Sequence, residues 1–155
     1  MSMASASRPR LGGLLADNSG LTVAILVIAL IGTVEASYLT YVHYYGLSAL
    51  PCFGKHAGHS SCLTVQSSVY AKLAGIPVAL LGLLGYLAIL ASVFVRGESG
   101  RAAGFCVALI GCGFSFYLTY REIFTIEHIC EWCVGSACLM TALAIISAIR
   151  YVRAN

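Results

Sequence analysis

Two cysteines separated by two residues are the side chains with the most evident chemistry in this chain of 155 residues. They lie in the segment Ile129-Cys130-Glu131-Trp132-Cys133, where a long apolar run begins. Positions i and i+3 of a helix share a face, so Cys130 and Cys133 can close a disulfide or open to a dithiol. A helix N-terminus favours the thiolate, which makes Cys130 the more reactive thiol, whereas the carboxylates of Glu127 and Glu131 oppose its ionisation. The spacing predicts a redox pair, with half of a zinc site or two small buried side chains as alternatives.

The composition predicts an integral membrane protein. Apolar residues make up 59% of the chain and charged residues only 10%, far fewer than in a soluble domain. The net charge of +3 lies in short runs beside apolar segments and forms no basic stripe with interleaved aromatics. This pattern gives no support to a nucleic-acid-binding function.

Four apolar segments, each about long enough to cross a bilayer, follow one another along the chain. They occupy residues 21–42, 73–95, 102–123 and 129–149, with Pro77 expected in the first turn of the second helix. The predicted fold is an all-α integral membrane bundle of four transmembrane helices, spanning residues 21–151, with an extended loop between helices 1 and 2. Residues 1–20 and 152–155 are predicted to be cytoplasmic tails.

Several residues in the predicted spans have expected roles. Glu35 is an ionisable group at membrane depth, which makes it a functional candidate without an assigned role. Arg121 and Glu122 are expected to mark the water interface at the end of the third span. Small residues should allow close helix contacts, at Gly82, Gly85, Gly104, Gly111, Gly113 and Ser115.

Basic residues predict the orientation of the bundle. Six arginines flank one side and three basic residues the other, namely Arg8, Arg10, Arg96, Arg101, Arg150 and Arg153 against Lys55, Lys72 and Arg121. The positive-inside rule then places both termini in the cytoplasm. The polar loop and the start of the fourth helix would share the outer face, in a compartment that permits disulfides.

The seven cysteines fall into two groups. Cys106, Cys112 and Cys138 lie inside apolar runs, where a free cysteine usually acts as a small hydrophobe. The other group has four members: Cys130 and Cys133 at the start of the fourth apolar segment, and Cys52 and Cys62 in the polar loop of residues 46–70. His56 and His59 in the same loop raise a zinc alternative, but the order of these four loop residues lacks the usual spacing of zinc ligands.

Two outer cysteine pairs suggest that electrons pass by successive thiol–disulfide exchange. Cys52 or Cys62 could react with a soluble dithiol protein and then exchange with Cys130, while Cys133 lies one turn deeper. The sequence contains no haem ligand set, iron–sulfur spacing or dinucleotide fingerprint, so a lipid-soluble quinone is the economical electron acceptor.

The order of these motifs resembles the vitamin K epoxide reductase family, particularly its bacterial standalone members. That family has a loop cysteine pair followed by a serine, a Gly-x-Pro start to the next helix, and a C-x-x-C at the head of the fourth helix. The corresponding residues here are Cys52 and Cys62, Ser67 and Ser68, Gly75-Ile76-Pro77 with Gly82 and Tyr86, and Cys130 and Cys133.

The resemblance implies a four-helix bundle around a quinone, either ubiquinone or menaquinone. It implies that Cys52 meets a thioredoxin-like partner of the DsbA type, that Cys62 relays to Cys130, and that Cys133 lies beside the quinone ring. Ser68 resembles the family's loop serine in the hydrogen-bond network there. Bacterial members re-oxidise a periplasmic disulfide-forming protein, which implies the bacterial inner membrane, with the active-site cysteines on the periplasmic side.

Two features depart from the family pattern. The loop cysteines are more widely spaced than expected, and Ala137 stands where vertebrate members carry a tyrosine, which favours an ordinary quinone over an epoxide as substrate. A DsbB-type oxidase has the cysteine pairs in the reverse order. The remaining alternative is a non-enzymatic membrane adaptor or small transporter whose outer cysteines form structural disulfides.

Overall fold

The computed structural model describes residues 11–46, 65, 67–73, 75–95, 97–126 and 129–154, with side chains from residue 19 onward. Its four α-helices are α1 (Leu11–Tyr45), α2 (Val78–Phe94), α3 (Glu98–Arg121) and α4 (Glu131–Ala154). Between α1 and α2 lie a 3₁₀ turn (Val69–Ala71) and two short strands, β1 (Lys72–Leu73) and β2 (Ile76–Pro77). A π-helical turn, Glu122–Ile126, continues α3.

Three segments are long and apolar enough to cross a membrane, namely Ser19–Tyr45, Glu98–Thr125 and Glu131–Arg153. Helix α2 is also apolar but has 17 residues, so it measures about 25 Å against a hydrocarbon core of about 30 Å. The all-helical membrane fold with four helices is therefore confirmed. A fourth crossing by α2, and the extended outer loop, stay predictions.

The start of α2 differs from the predicted boundary. We expected a helix from about residue 73 with Pro77 in its first turn, but Pro77 precedes the first helical residue. Lys72 pairs with Pro77 and Leu73 with Ile76 in an antiparallel hairpin, whose turn includes Gly75 at φ 85°. A proline disfavours helical backbone at the residue before it, so Ile76 stays extended and the helix begins one residue after Pro77.

Helix α1 begins at Leu11, within the segment predicted as a tail. It packs against α2 and α4, and α3 packs against the same two helices. The shared core contains large buried side chains from three helices: Ile25, Tyr86, Ile89, Met140 and Leu143. Many apolar side chains on the outside of the bundle are exposed, as expected for a surface that faces lipid.

Glycines set the closest contacts between these helices. A Cβ on Gly32 of α1 would overlap the ring of Tyr86, and one on Gly111 of α3 would lie 2.9 Å from the sulfur of Met140. Gly104 likewise faces the hydroxyl of Ser92, so the expected contacts of Gly104 and Gly111 are confirmed. Gly85 has only an ordinary contact, 3.4 Å from Met140.

The expected contacts of two other glycines are wrong. Gly82 and Gly113 face open space, because a Cβ on either would have no neighbour within 4 Å among the described residues. Neither glycine therefore brings two helices together.

Replacing Gly32 with alanine should destabilise the bundle by about 1–3 kcal/mol, because the added methyl group overpacks the site against Tyr86. The check is the thermal unfolding of the detergent-solubilised protein, followed by circular dichroism. Gly113→Ala is the matched control, since its methyl group meets open space, and it should leave the midpoint unchanged or raise it. Equal midpoints for the two variants would contradict the packing argument.

Candidate functional site

The two cysteines of the C-x-x-C motif lie together at the start of α4, both as free thiols. Cys130 directly precedes the helix, and its carbonyl oxygen accepts a hydrogen bond from the N–H of Val134 at 3.1 Å. It therefore occupies the N-cap position, which confirms the expected place at a helix N-terminus. We call the end of the bundle that carries these thiols the cysteine end.

The Cys130 side chain is fully buried, with 0% of its surface exposed. It packs against Leu39 and Val42 of α1 and against Val65. Tyr38 and Trp132 border the same cluster, with their ring centroids 5.4 Å apart. A soluble partner therefore has no direct access to Cys130 in this conformation, and residues such as Val65 must move before its sulfur can be attacked.

The environment of Cys130 favours its thiolate. A hydrogen bond from the Cys133 thiol lowers the pKa of Cys130, and the backbone N–H groups of Cys133 and Trp132 add to this effect. Burial and the nearby carboxylate of Glu122 oppose it, but the pKa still lies below its usual value. The Cys133 thiol and, to a smaller extent, the N–H groups at the N-terminus of α4 therefore make the Cys130 thiol easier to ionise than a free cysteine.

Glu122 connects the end of α3 to both cysteines. Its carboxylate is 3% exposed and accepts a hydrogen bond from the backbone N–H of Cys130, with 3.3 Å between nitrogen and Oε2. The thiol of Cys133 lies within hydrogen-bonding reach of the same carboxylate, so its single proton can be donated either to Glu122 or to Cys130. The sequence predicts Glu122 at the water interface, and in the structure its carboxylate, at the end of α3, is turned into the protein towards the two cysteines. Its neighbour Arg121 points away, with its guanidinium carbon 4.9 Å from the ring centre of Tyr70.

A cavity of about 390 Å³ lies next to the cysteine pair, enclosed by α1, α2, α3, α4 and residues 65–73. Its wall is largely apolar, which is typical of a small-molecule site, and its volume is in the usual range. The polar and sulfur-bearing side chains in this wall include Ser68, Glu122, Cys133 and Ser136. Cys133 therefore belongs both to the cysteine pair and to the wall of the cavity.

Two hydroxyl groups in this region are held by hydrogen bonds. Ser68 donates to the carbonyl oxygen of Val65 at 2.7 Å, which fixes the segment that covers the cavity. The Tyr86 hydroxyl lies 2.9 Å from Ser136 Oγ and donates to the carbonyl oxygen of Ser136 at 3.1 Å. Ser136 was missed by sequence reasoning, because a serine in an apolar helix gives no signal that it faces a cavity.

Glu35 lies outside this cavity. It borders a shallower groove on the surface between α1 and α4, together with Glu131 and Trp132. Its carboxylate rests against Gly135, where an added Cβ would lie 3.2 Å from Oε1. A side chain at position 135 would therefore require the Glu35 carboxylate to shift by a few tenths of an ångström.

Cys52 and Cys62, the loop pair predicted from the sequence, lie outside the described residues, as do His56 and His59 of the zinc alternative. Within the described part of the chain, no three His, Cys, Asp or Glu side chains are grouped as metal ligands would be. The structure therefore brings together Cys130, Cys133 and Ser68 of the predicted site residues, and adds Glu122 and Ser136.

Replacing Cys133 with alanine removes the thiol that hydrogen-bonds to Cys130, so the pKa of Cys130 should rise. Its thiolate fraction at neutral pH then falls, by about tenfold for each unit of the shift. Alkylation of Cys130 at pH 7 should slow accordingly and reach its plateau only at higher pH, as measured by mass spectrometry of the labelled peptide. Cys133→Ser keeps a hydrogen-bond donor and should label faster than Cys133→Ala. Identical pH profiles for all three chains would contradict this interaction.

The sequence was also compared with models of known protein families. The model described as the vitamin K epoxide reductase family matches residues 23–148, which is most of the chain. The match includes all four helices in large part and extends past both cysteines at the start of α4. Because these membrane proteins are generally oxidoreductases that use quinones, an apolar cavity beside a thiol pair is consistent with their chemistry. The chain belongs to the vitamin K epoxide reductase family.

Proposed function

We propose that this protein is a membrane thiol oxidoreductase that reduces a quinone while re-oxidising a thioredoxin-like dithiol protein, and so supports disulfide-bond formation. The observation that carries the proposal is the shared position of Cys133, which belongs both to the C-x-x-C pair and to the wall of the apolar cavity. A thiol in that position can pass electrons directly to a molecule bound in the membrane.

The cavity suits a quinone as substrate. A quinone ring and the start of its isoprenoid tail are apolar and flat, and the cavity offers about 390 Å³ between apolar walls from the helices. Each quinone oxygen needs a polar partner, and the hydroxyls of Ser68 and Ser136 lie in the wall. Full reduction takes two electrons and two protons, which the two thiols supply as their disulfide forms.

The proposed relay has three exchanges. A reduced partner protein of the DsbA type exchanges with Cys52, the resulting loop dithiol exchanges through Cys62 with the Cys130–Cys133 disulfide, and the restored dithiol reduces the quinone. The first two steps each break one disulfide and form another, and in the third the thiol pair forms its disulfide while the quinone takes up the two electrons and two protons, so electrons and protons balance. Because Val65 packs on Cys130, the loop exchange requires residues around Val65 to move.

We further propose that the cysteine end faces the periplasm of a bacterial inner membrane, with both termini in the cytoplasm. The excess of arginine at the opposite side supports this orientation. Exposed tyrosines at the last turns of α1, namely Tyr41, Tyr44 and Tyr45, fit an aromatic belt at the outer surface.

Replacing Cys133 with alanine should abolish quinone reduction by the reduced chain, because the sulfur beside the cavity is lost. Cys130 should still form a trapped mixed disulfide, since no second thiol remains to resolve it. The check is quinone absorbance in detergent with a reduced thioredoxin-like protein as donor. Cys52→Ala, Cys62→Ala and Cys130→Ala should also fail to turn over, whereas Cys138→Ala, an exposed thiol of α4, should react normally.

Quinone turnover by the Cys133→Ala variant at the unmodified rate would overturn the assignment of Cys133. An unmodified chain that leaves quinone oxidised while its disulfides persist in mild reductant would point to structural disulfides and a non-enzymatic role.

Filling the cavity should weaken quinone binding without harming thiol exchange. Gly82 of α2 lies in the cavity wall and faces open space, so leucine at this position occupies volume that the quinone needs. Gly82→Leu should raise KM for quinone by about tenfold or more, since losing part of an apolar site costs 1–3 kcal/mol. Gly113→Leu places the same side chain on the outer surface and should leave KM unchanged. Equal KM values would exclude this cavity as the quinone site.

A further inference from the structure

Glu122 is the charged residue at this site to which the relay described above gives no role. A buried carboxylate in a membrane protein is costly, and such residues are usually retained for function. Glu122 is 3% exposed and lies in the wall of the cavity, where it contacts both residues of the thiol pair. Its position therefore needs an explanation beyond packing.

The two hydrogen bonds of Glu122 orient it towards the reacting atoms. The backbone N–H of Cys130 holds Oε2 at 3.3 Å. The Cys133 thiol is the second hydrogen-bond partner of this carboxylate, and its single proton can be donated either to Glu122 or to Cys130. The carboxylate thus has the Cys133 proton on one side and the cavity on the other.

We propose that Glu122 is the catalytic proton carrier of the quinone step. This role rests on the proposed function. When the dithiol reduces the quinone, two S–H bonds break, one S–S bond forms, and two O–H bonds form on the quinone oxygens. Glu122 takes the proton of the Cys133 thiol as its sulfur gives up electrons, and passes a proton to the nearer quinone oxygen. Counted from the neutral dithiol, the second proton is the one that Cys130 releases when its thiol ionises, so atoms and electrons balance with no further reagent.

A carboxylate suits this task because it can hold a proton for a short time. The serine hydroxyls of the wall can donate hydrogen bonds, but they are poor proton acceptors at neutral pH. Arg121, the adjacent cation, stacks on Tyr70 and Tyr117 instead of pairing with Glu122, which leaves the carboxylate to the two cysteines.

The test compares Glu122→Gln with the unmodified chain in a single turnover of reduced protein with excess ubiquinone or menaquinone analogue in detergent. Glutamine keeps an oxygen that can accept the Cys130 N–H but cannot carry a proton. The rate should fall by about a hundredfold or more, as for loss of a general acid–base group. Glu122→Asp keeps a carboxylate and should recover part of the rate. Glu98→Gln, which removes a carboxylate from the first turn of α3, at the opposite end of that helix from Glu122, should leave the rate unchanged.

A second readout needs no quinone. Infrared difference spectra between the dithiol and disulfide forms should contain a carboxyl band of Glu122, because oxidation removes the thiol that contacts it. The band should vanish in Glu122→Gln and persist in Glu98→Gln. If Glu122→Gln does not fold, the partial rate of Glu122→Asp together with a shifted carboxyl band supports the role, whereas a full rate overturns it.

The outcomes separate the two proposals. An unmodified chain that does not reduce quinone would overturn the proposed function and the role of Glu122 with it. An active unmodified chain beside an equally fast, folded Glu122→Gln variant would overturn the proton-carrier role alone. A difference spectrum without a band that depends on Glu122 would also overturn the proton-carrier role alone.

Discussion

The contact between Tyr86 and the helices around it holds this bundle in its observed arrangement. The ring is fully buried, and it fits against α1 only because Gly32 has no side chain. Its hydroxyl reaches α4 at Ser136. One residue of α2 therefore fixes the positions of α1 and α4, and in lipid such packing and hydrogen bonding take the place of the hydrophobic effect.

The cavity follows from the same arrangement. Tyr86 fills the space towards α1, whereas Gly82 and Gly85 line the cavity on α2, and Gly111 lines it on α3. Small residues along this face leave room that no side chain of the described residues occupies. Because Ser136 is held by Tyr86, the wall of the cavity next to Cys133 is positioned by the core of the bundle and does not depend on the loop alone.

The reactive side chains lie together where α3 ends and α4 begins. The π-helical turn follows Arg121, and such turns are often found at functional sites. Glu122 lies at its first residue and reaches back to the N-cap of α4, so the two helix ends are joined through a carboxylate and two cysteines. The N-terminus of α4 and the Cys133 thiol together lower the pKa of Cys130, while burial protects it from solvent. The ionisation of Cys130 and its accessibility to a partner are thus controlled by different contacts.

The membrane class, the number of helices, the C-x-x-C pair at a helix start and the family resemblance can all be read from the amino-acid sequence. These properties depend on local composition and spacing, which a linear pattern records. The pattern misjudged the start of α2 and did not reveal that the Glu122 side chain is turned into the protein. A charged pair next to aromatic residues suggests an interface, and a glycine and a proline ahead of an apolar run suggest an early helix start. Three features become visible only in the folded bundle: Glu122 faces inward, Ser136 and Cys133 line the same cavity, and Gly32, unlike Gly113, lies at a tight helix contact. Each of these depends on which face of one helix meets another, and that choice is made by packing between segments distant in the sequence.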